Sequence, residues 1–139
     1  MVDITITAAS VVPGSDAVKT SGIALSTITA GQVVYRDPTT LKFAPADTDS
    51  ATAAIRDVFG IALNGAAANQ PVSVQTSGTL TAGGTLLPGM TYVLSGTAGG
   101  FAPVADIANG DYTVVIGVAT TAAILKLGIL KSGVVAAVT

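Results

Sequence analysis

Four short landmarks recur in the same order along the chain, at spacings of 55 to 58 residues. They are Thr-Ser-Gly (20–22 and 76–78, with Lys-Ser-Gly at 131–133), a glycine with a Tyr-containing apolar run (31–35 and 89–93), Phe-Ala-Pro (43–45 and 101–103) and an apolar run around a glycine (59–62 and 116–119). Chance similarity in a Gly/Ala/Thr-rich chain explains the Ser-Gly pairs alone, but the matched Phe-Ala-Pro segments indicate a duplication. The sequence therefore predicts two similar units of about 56 residues.

Each unit is expected to begin with a β-hairpin. In the first unit, strands at 33–36 and 41–44 flank a turn at 37–40 that contains Asp and Pro. In the second unit, 92–94 and 101–102 flank a loop whose glycines supply positive-φ positions. Further strands are expected at 58–63, 72–75, 112–119 and 123–130, and an earlier one over Val2, Ile4 and Ile6. Residues 50–57 suit either a loop or a short helix capped by Asp49 or Ser50.

The fold class follows from these strands and from the size of the unit. A unit of about 56 residues is marginal alone, so the two copies are expected to pack with pseudo-twofold symmetry. We predict an all-β chain, a compact β-barrel or sandwich built from two tandem repeats, with an N-terminal extended arm. The predicted divisions are an arm or first strand over 1–19, a first repeat over 20–76 and a second over 77–139, together forming one compact domain. The absence of Glu and the abundance of Thr, Val and Gly favour strands over helices.

Composition and charge argue against several classes of function. The chain has no His and no Cys, which removes His-dependent triads and thiolate or imidazole metal sites. Six basic residues are scattered along a chain of net charge −2, which argues against nucleic-acid binding. No apolar run approaches the roughly 20 residues of a membrane-spanning helix, and the N-terminus lacks the features of a secretory signal. We expect no enzymatic activity, no cofactor, no metal and no membrane contact.

Some polar and glycine-rich groups suggest a binding chemistry, but each has a simpler interpretation. The Thr-Ala-Gly-Gly runs at 81–84 and 97–100 lack the Lys and Ser/Thr of a phosphate-binding loop and are interpreted as turns. Asp47 and Asp49 offer oxygen ligands for calcium, with Ser50 beside them, but lack further carboxylates nearby. Asp106 and Asp111 offer a carboxylate pair for glycoside hydrolysis, yet they flank an Asn-Gly turn and are interpreted as turn formers.

Four aromatic residues suggest a stacking platform for sugars or bases: Tyr35, Tyr92, Phe43 and Phe101. The members of each pair are expected at equivalent repeat positions on strands. We therefore interpret all four as core residues.

Residues 31–37, Gly-Gln-Val-Val-Tyr-Arg-Asp, and the segment 60–74 resemble tailed-phage capsid decoration proteins, also called cement or head-fibre proteins. In that family a Gly-x-Ala strand, an alanine-rich loop, a Gly-like turn and an alternating Val-x-Val strand recur, and 60–74 is similar to this pattern. The second half looks like the same pattern, so the resemblance covers about two thirds of the chain. Asn69-Gln70 departs from it, because the family often has a Gly-acidic pair there.

The resemblance implies a β-rich domain, usually a homotrimer, on the outer surface of a virion. Such a protein is made in the host cytoplasm and binds where neighbouring copies of the major capsid protein meet, reinforcing them against internal pressure. No active site is implied. Three weak contacts within one trimer act together, so their combined affinity exceeds that of any single contact.

The capsid interface is predicted at Val2, Ile4 and Ile6, which alternate with polar residues and suit the addition of a strand to an exposed sheet edge. On this hypothesis, deletion of residues 1–12 abolishes shell binding and leaves the domain folded. In the alternative, the segment is the first strand of the protein's own sheet and its deletion unfolds the domain. Two further functions fit less well: a tail-fibre or receptor-binding β module, and a carbohydrate-binding protein or sugar-active enzyme that uses Asp106 and Asp111.

Overall fold

The protein is all-β, as predicted, and its sheet is antiparallel. The computed structural model describes residues 3–135, with side chains as far as Lys131. In this part of the chain ten strands form one strongly curled sheet, a half-barrel. The strands are β1 (Val12–Pro13), β2 (Val18–Ile23), β3 (Val33–Arg36), β4 (Phe43–Pro45), β5 (Val58–Ala62), β6 (Pro71–Thr81), β7 (Thr91–Leu94), β8 (Phe101–Pro103), β9 (Tyr112–Ala119) and β10 (Ile124–Val135). Short 3₁₀ turns cover Ala8–Ser10, Ala53–Arg56 and Val104–Asp106.

The order of the strands across the sheet is equivalent from both ends: β4-β3-β5-β6-β10-β9-β7-β8, with β1 and β2 also paired to β6. Each half places a hairpin at the outside and a long strand at the centre. The registers match as well. The matched pairs are Val33–Ile61 and Thr91–Val118, Val34–Gly60 and Tyr92–Gly117, and Tyr35–Val58 and Val93–Val115. The halves thus share order and register, while a common origin of their sequences stays a prediction.

Two glycines occupy equivalent positions in this arrangement and allow the strands to approach closely. A Cβ on Gly60 would overlap the carbonyl oxygen of Gln75, and a Cβ on Gly117 would overlap that of Lys126. The pairings of β3 with β5 and of β7 with β9 each shift register beside these glycines. Glycine is therefore required at both positions, because any side chain would push β5 or β9 away from its neighbour.

The first hairpin closes later than predicted. The Asp37 carboxylate accepts hydrogen bonds from the N–H groups of Thr39 (2.8 Å) and Thr40 (2.9 Å). These two bonds hold the pKa of the Asp37 carboxyl below its ordinary value, and the bond from Thr40 has the larger effect. Leu41 then adopts a φ of 61°, so the returning strand begins at Phe43 and not at residue 41.

The main core lies inside the curled sheet and takes opposite faces from the two halves. Val33 and Tyr35 point into it from β3, whereas Tyr92 and Leu94 point into it from β7. The expectation that the two tyrosines are equivalent was wrong, since the register makes Tyr92 equivalent to a valine of β3. Tyr92 thus lies one position earlier in its strand than the counterpart of Tyr35. Because neighbouring residues of a strand point to opposite faces, this shift of one residue brings both rings into the same core.

A second, smaller cluster covers the outer side of the first half. It contains Ala24, Ile28, Val34, Phe43, Ala62, Ala66, Val72 and Val74. Phe59 packs at its rim with its ring edge-on to Phe43, at a centroid distance of 5.0 Å. The chain around Ala24 and Ile28 thus covers the outer face of β3, β4 and β5.

β6 is much longer than the predicted strand 72–75, and it belongs to both halves. Its first part pairs with β2 and β5, and its last part pairs with β1 and β10. Gly78 has a φ of 90° between these parts. Beside it the buried Gln75 amide donates to the carbonyls of Ser77 (3.1 Å) and Thr79 (2.8 Å). The Thr79 hydroxyl and N–H both donate to Asp16, and these bonds lower the pKa of that carboxyl.

Irregular chain segments cover both outermost strands of the sheet. Leu25 N–H donates to the Phe43 carbonyl of β4 (2.6 Å), and Ile4 N–H donates to the Phe101 carbonyl of β8 (3.0 Å). The two acceptors are the equivalent Phe residues of the repeated Phe-Ala-Pro segment.

Other sequence predictions differ from the structure. Strands β1 and β2 were not predicted, and residues 3–7 form no strand, so the strand expected over Ile4 and Ile6 was wrong; Val2 lies outside the described residues. The helix option for 50–57 becomes the single 3₁₀ turn Ala53–Arg56, whose N-cap is Thr52 and not Asp49 or Ser50. The predicted boundaries after residues 19 and 76 fall inside β2 and β6.

Candidate protein-binding surface

The described part of the predicted interface segment lies against the protein's own core. Ile4 and Ile6 are half-buried and pack against the main cluster. A Cβ on Gly31 would lie 2.5 Å from Ile6 Cγ2, and one on Gly84 would lie 2.7 Å from Ile4 Cγ2. The absence of a side chain at these two glycines therefore makes room for the isoleucines. The backbone is also engaged, because Thr7 N–H donates to Gly83 (2.8 Å) and Ile4 N–H to β8. Strand addition to a partner by this segment would require its release from the domain.

Replacing Ile4 and Ile6 together by Ala is expected to lower the free energy of unfolding by about 2–3 kcal/mol, less than two fully buried sites would cost. Urea unfolding measures the change. The matched control is the double variant Thr5→Ala and Thr7→Ala, which alters the exposed neighbours and should leave stability unchanged. If the isoleucine variant kept full stability but lost shell binding, the segment would be a free arm, as the strand-addition hypothesis holds.

A different apolar surface is exposed on the second half. The outer β9–β10 face consists of Val115, Val118, Lys126, Gly128 and Leu130, with Val115 paired to Leu130 and Val118 to Lys126. The side chain of Leu130 is 67% exposed and that of Val118 is 41% exposed. A shallow groove of about 340 Å³ lies along part of this face, at Val115, Val118, Lys126 and Gly128 but not at Leu130. Val115, Val118 and Leu130 place aliphatic side chains on one face that carries a single lysine, which makes this face a candidate for contact with another protein.

In the first half, the residues equivalent to Val115 and Val118 are buried. Matching registers make Val58 and Ile61 of β5 the counterparts of Val115 and Val118 of β9. Val58 and Ile61 are buried in the main core, because the second half covers them. Val115 and Val118 of the outer β9–β10 face therefore occupy positions whose counterparts are buried, but no layer of the described chain covers them. A sequence signal existed: Leu130 shares an alternation face with Lys126 and Gly128, where a polar residue is expected.

A cleft of about 300 Å³ opens where the 3₁₀ turn Ala53–Arg56 meets the start of β9 and the C-terminal part of β10. The Arg56 guanidinium carbon lies 3.6 Å from the centroid of the Tyr112 ring, and Nη1 donates to the Ser50 carbonyl (2.6 Å). Lys131, which also lines the cleft, forms an ion pair with Asp57. Sequence reasoning treated the basic residues as scattered and missed this pair of cations, which lie 75 residues apart in the chain.

The aspartates that were considered as ligands or catalysts take part in turns. Asp47 accepts a hydrogen bond from the N–H of Asp49 (2.9 Å), and Asp111 accepts one from the N–H of Ala108 (3.0 Å). Gly83 and Gly99 of the Thr-Ala-Gly-Gly runs have positive φ, as the turn interpretation requires. Among the described residues no group of three or more His, Cys, Asp or Glu side chains is placed to hold a metal ion.

The four aromatic residues considered as a stacking platform are buried, as the core interpretation predicted: Tyr35, Tyr92, Phe43 and Phe101. Burial, followed by the charge of Asp37, raises the pKa of Tyr35. Tyr92 and Phe101 pack edge-on at 5.8 Å. These rings therefore contribute to the core and do not form an exposed stacking platform.

Comparison with models of known protein families finds no match, and comparison with curated proteins finds none. In the described part of the chain, no helix has the length and apolarity needed to cross a membrane. The resemblance to capsid decoration proteins therefore depends on the residues of 31–37 and 60–74 alone.

Proposed function

We propose that the protein is a structural component of a tailed-phage virion, a homotrimer that decorates the capsid by binding the major capsid protein. The resemblance of 31–37 and 60–74 to decoration proteins and the all-β fold support this proposal. The observation that carries it is the outer β9–β10 face, which exposes Val118 and Leu130 on two paired strands. This face, and not the N-terminal segment, contacts the shell.

The composition of the face suits a docking contact repeated many times. Lys126 supplies one charge beside apolar side chains, so little desolvation of charge opposes the approach of a partner. At Gly128 a Cβ would meet nothing within 4 Å, so the backbone there is open to close approach. A small face of this kind gives weak binding alone, and three copies in one trimer raise the overall affinity through effective concentration.

The double variant Val118→Asp and Leu130→Asp is expected to remain a folded trimer and to lose shell binding by at least about tenfold, because an unpaired carboxylate buried in the contact costs more than the roughly 1.4 kcal/mol that a factor of ten represents. Light scattering measures the mass, and co-sedimentation with capsids lacking the protein measures binding. Leu87→Asp is the matched control: this leucine is 57% exposed but lies in the loop between β6 and β7, so its variant should bind normally.

Several outcomes would overturn the proposal. A monomeric wild-type protein that stays in the supernatant contradicts decoration. A double Asp variant that pellets as well as the Leu87→Asp control excludes the outer β9–β10 face as the contact. Binding of the wild type to host cells and not to shells identifies a receptor-binding module instead.

A further inference from the structure

The cleft beside Arg56 concentrates positive charge on an acidic chain. Arg56 and Lys131, two of the six basic residues, line one cavity together with one carboxylate, Asp57. The net charge of these three side chains is therefore +1, on a chain of net charge −2. The cleft joins the halves, because Arg56 and Asp57 belong to the first and Lys131 to the second.

Arg56 is held in one orientation before any ligand arrives. Its guanidinium stacks on Tyr112 at 3.6 Å, and one N–H is used on the Ser50 carbonyl. A guanidinium has five N–H donors in a planar fork, which matches the two oxygens of a carboxylate. Stacking and the Ser50 bond reduce the conformational freedom that binding would otherwise remove.

Lys131 adds a second donor that an incoming anion can share. Its ion pair with Asp57 is about half exposed, with 47% and 58% of the two side chains accessible. Exposed pairs of this kind contribute little stability, so a competing carboxylate displaces or shares the ammonium at small cost. The lysine side chain starts beside Val114, its neighbour across β9 and β10.

The walls of the cleft select the kind of anion. Val114, Ala53 and Ala54 form an aliphatic lining, which suits the methylene groups of an acidic side chain. Asp57 also lines the cleft and lowers its net charge to +1, which one carboxylate neutralises, whereas a doubly charged phosphate would leave an uncompensated negative charge there. The aliphatic lining and the net charge of +1 together fit a glutamate side chain.

We infer that this cleft is a carboxylate-binding site that takes a glutamate side chain presented by a partner protein, with Arg56 as the bidentate anchor and Lys131 as the second donor. The identity of the partner as a capsid protein rests on the proposed function, whereas the preference for a carboxylate does not. The site and the outer β9–β10 face lie on opposite sides of the sheet. Leu130 and Lys131 are consecutive in β10, and so are their partners Val115 and Val114 in β9, and consecutive residues of a strand point to opposite faces.

The test is an NMR titration of the isotope-labelled full chain with acetyl-Ala-Glu-Ala-amide. We expect saturable shifts at residues 53–57, 112–114 and 131, with a dissociation constant in the millimolar range. Arg56→Gln should weaken binding by about tenfold or more, since a charge-assisted bidentate contact is lost. Arg36→Gln is the matched control, because Arg36 also lies over an aromatic ring, at 5.8 Å from the Phe59 centroid, but outside the cleft.

Three results would overturn the site: equal binding of acetyl-Ala-Gln-Ala-amide, tighter binding of inorganic phosphate than of the glutamate peptide, or unchanged affinity in Arg56→Gln. Shell co-sedimentation of the two arginine variants separates this inference from the proposed function. If the peptide binds and wild-type protein does not pellet with shells, the proposed function fails and the site remains. If wild type and Arg56→Gln pellet equally and the peptide does not bind, the site fails and the proposed function remains.

Discussion

Gly117→Ala is expected to lower the free energy of unfolding by about 2–4 kcal/mol, and Gly60→Ala by a similar amount. In each case the new methyl group would overlap a backbone carbonyl of the adjacent strand, that of Lys126 or of Gln75. A flexible side chain could move aside, but a carbonyl in a sheet cannot move without breaking the ladder. Urea unfolding followed by circular dichroism measures the loss.

Gly128→Ala is the matched control for both glycine variants. It lies in β10, and a Cβ there would meet nothing within 4 Å. Its substitution should change stability by less than about 0.5 kcal/mol, or raise it slightly by restricting the unfolded chain. If Gly117→Ala proved as stable as Gly128→Ala, the close approach of β9 and β10 would be wrong.

Tyr92→Ala is expected to destabilise the protein by about 3–5 kcal/mol, the range for removal of a large buried ring. Tyr92 is fully buried, packs edge-on against Phe101 at 5.8 Å and accepts a hydrogen bond from the N–H of Leu87 through its hydroxyl oxygen (2.8 Å). Its loss leaves a cavity in the main core and an unsatisfied N–H in the loop before β7. Thermal and urea unfolding should agree on the size of the effect.

Tyr92→Phe separates the two contributions, because it keeps the ring and removes the hydroxyl. It should cost about 1–2 kcal/mol, the penalty of leaving the Leu87 N–H without its acceptor. A loss as large as that of Tyr92→Ala would show that the hydrogen bond, and not ring packing, dominates at this position.

The hairpins and the all-β class could be predicted because their signals are local. Asp37 with Pro38 specifies a turn, and Gly99 supplies the positive φ that the second loop needs. The strand bounds of 112–119 were predicted correctly for the same reason, since an apolar run of that length follows a clear Asn-Gly turn. In each case the residues that decide the structure lie within about ten positions of one another.

The parts that could not be predicted depend on contacts between distant segments. β2 has little apolar character and is a strand because β6 pairs with it along Val18–Ile23. The tyrosines looked equivalent by spacing, yet only the register showed that the halves turn opposite faces to the core. Arg56 and Lys131 were just two isolated cations in the sequence, and the cleft exists because Lys131 of β10 lies beside the 3₁₀ turn.

The coverage of β4 and β8 has a consequence for how this chain behaves at high concentration. The unpaired N–H and C=O groups of an exposed edge strand can pair with the edge of another β protein, and repeated edge-to-edge pairing leads to fibrils and precipitates. Here the N–H groups of Leu25 and Ile4 already donate hydrogen bonds to carbonyls of the edge strands β4 and β8, at the equivalent residues Phe43 and Phe101. A chain that is half hydrophobic therefore has both ends of its sheet partly closed to polymerisation, and its association is directed to flat faces and side-chain clefts.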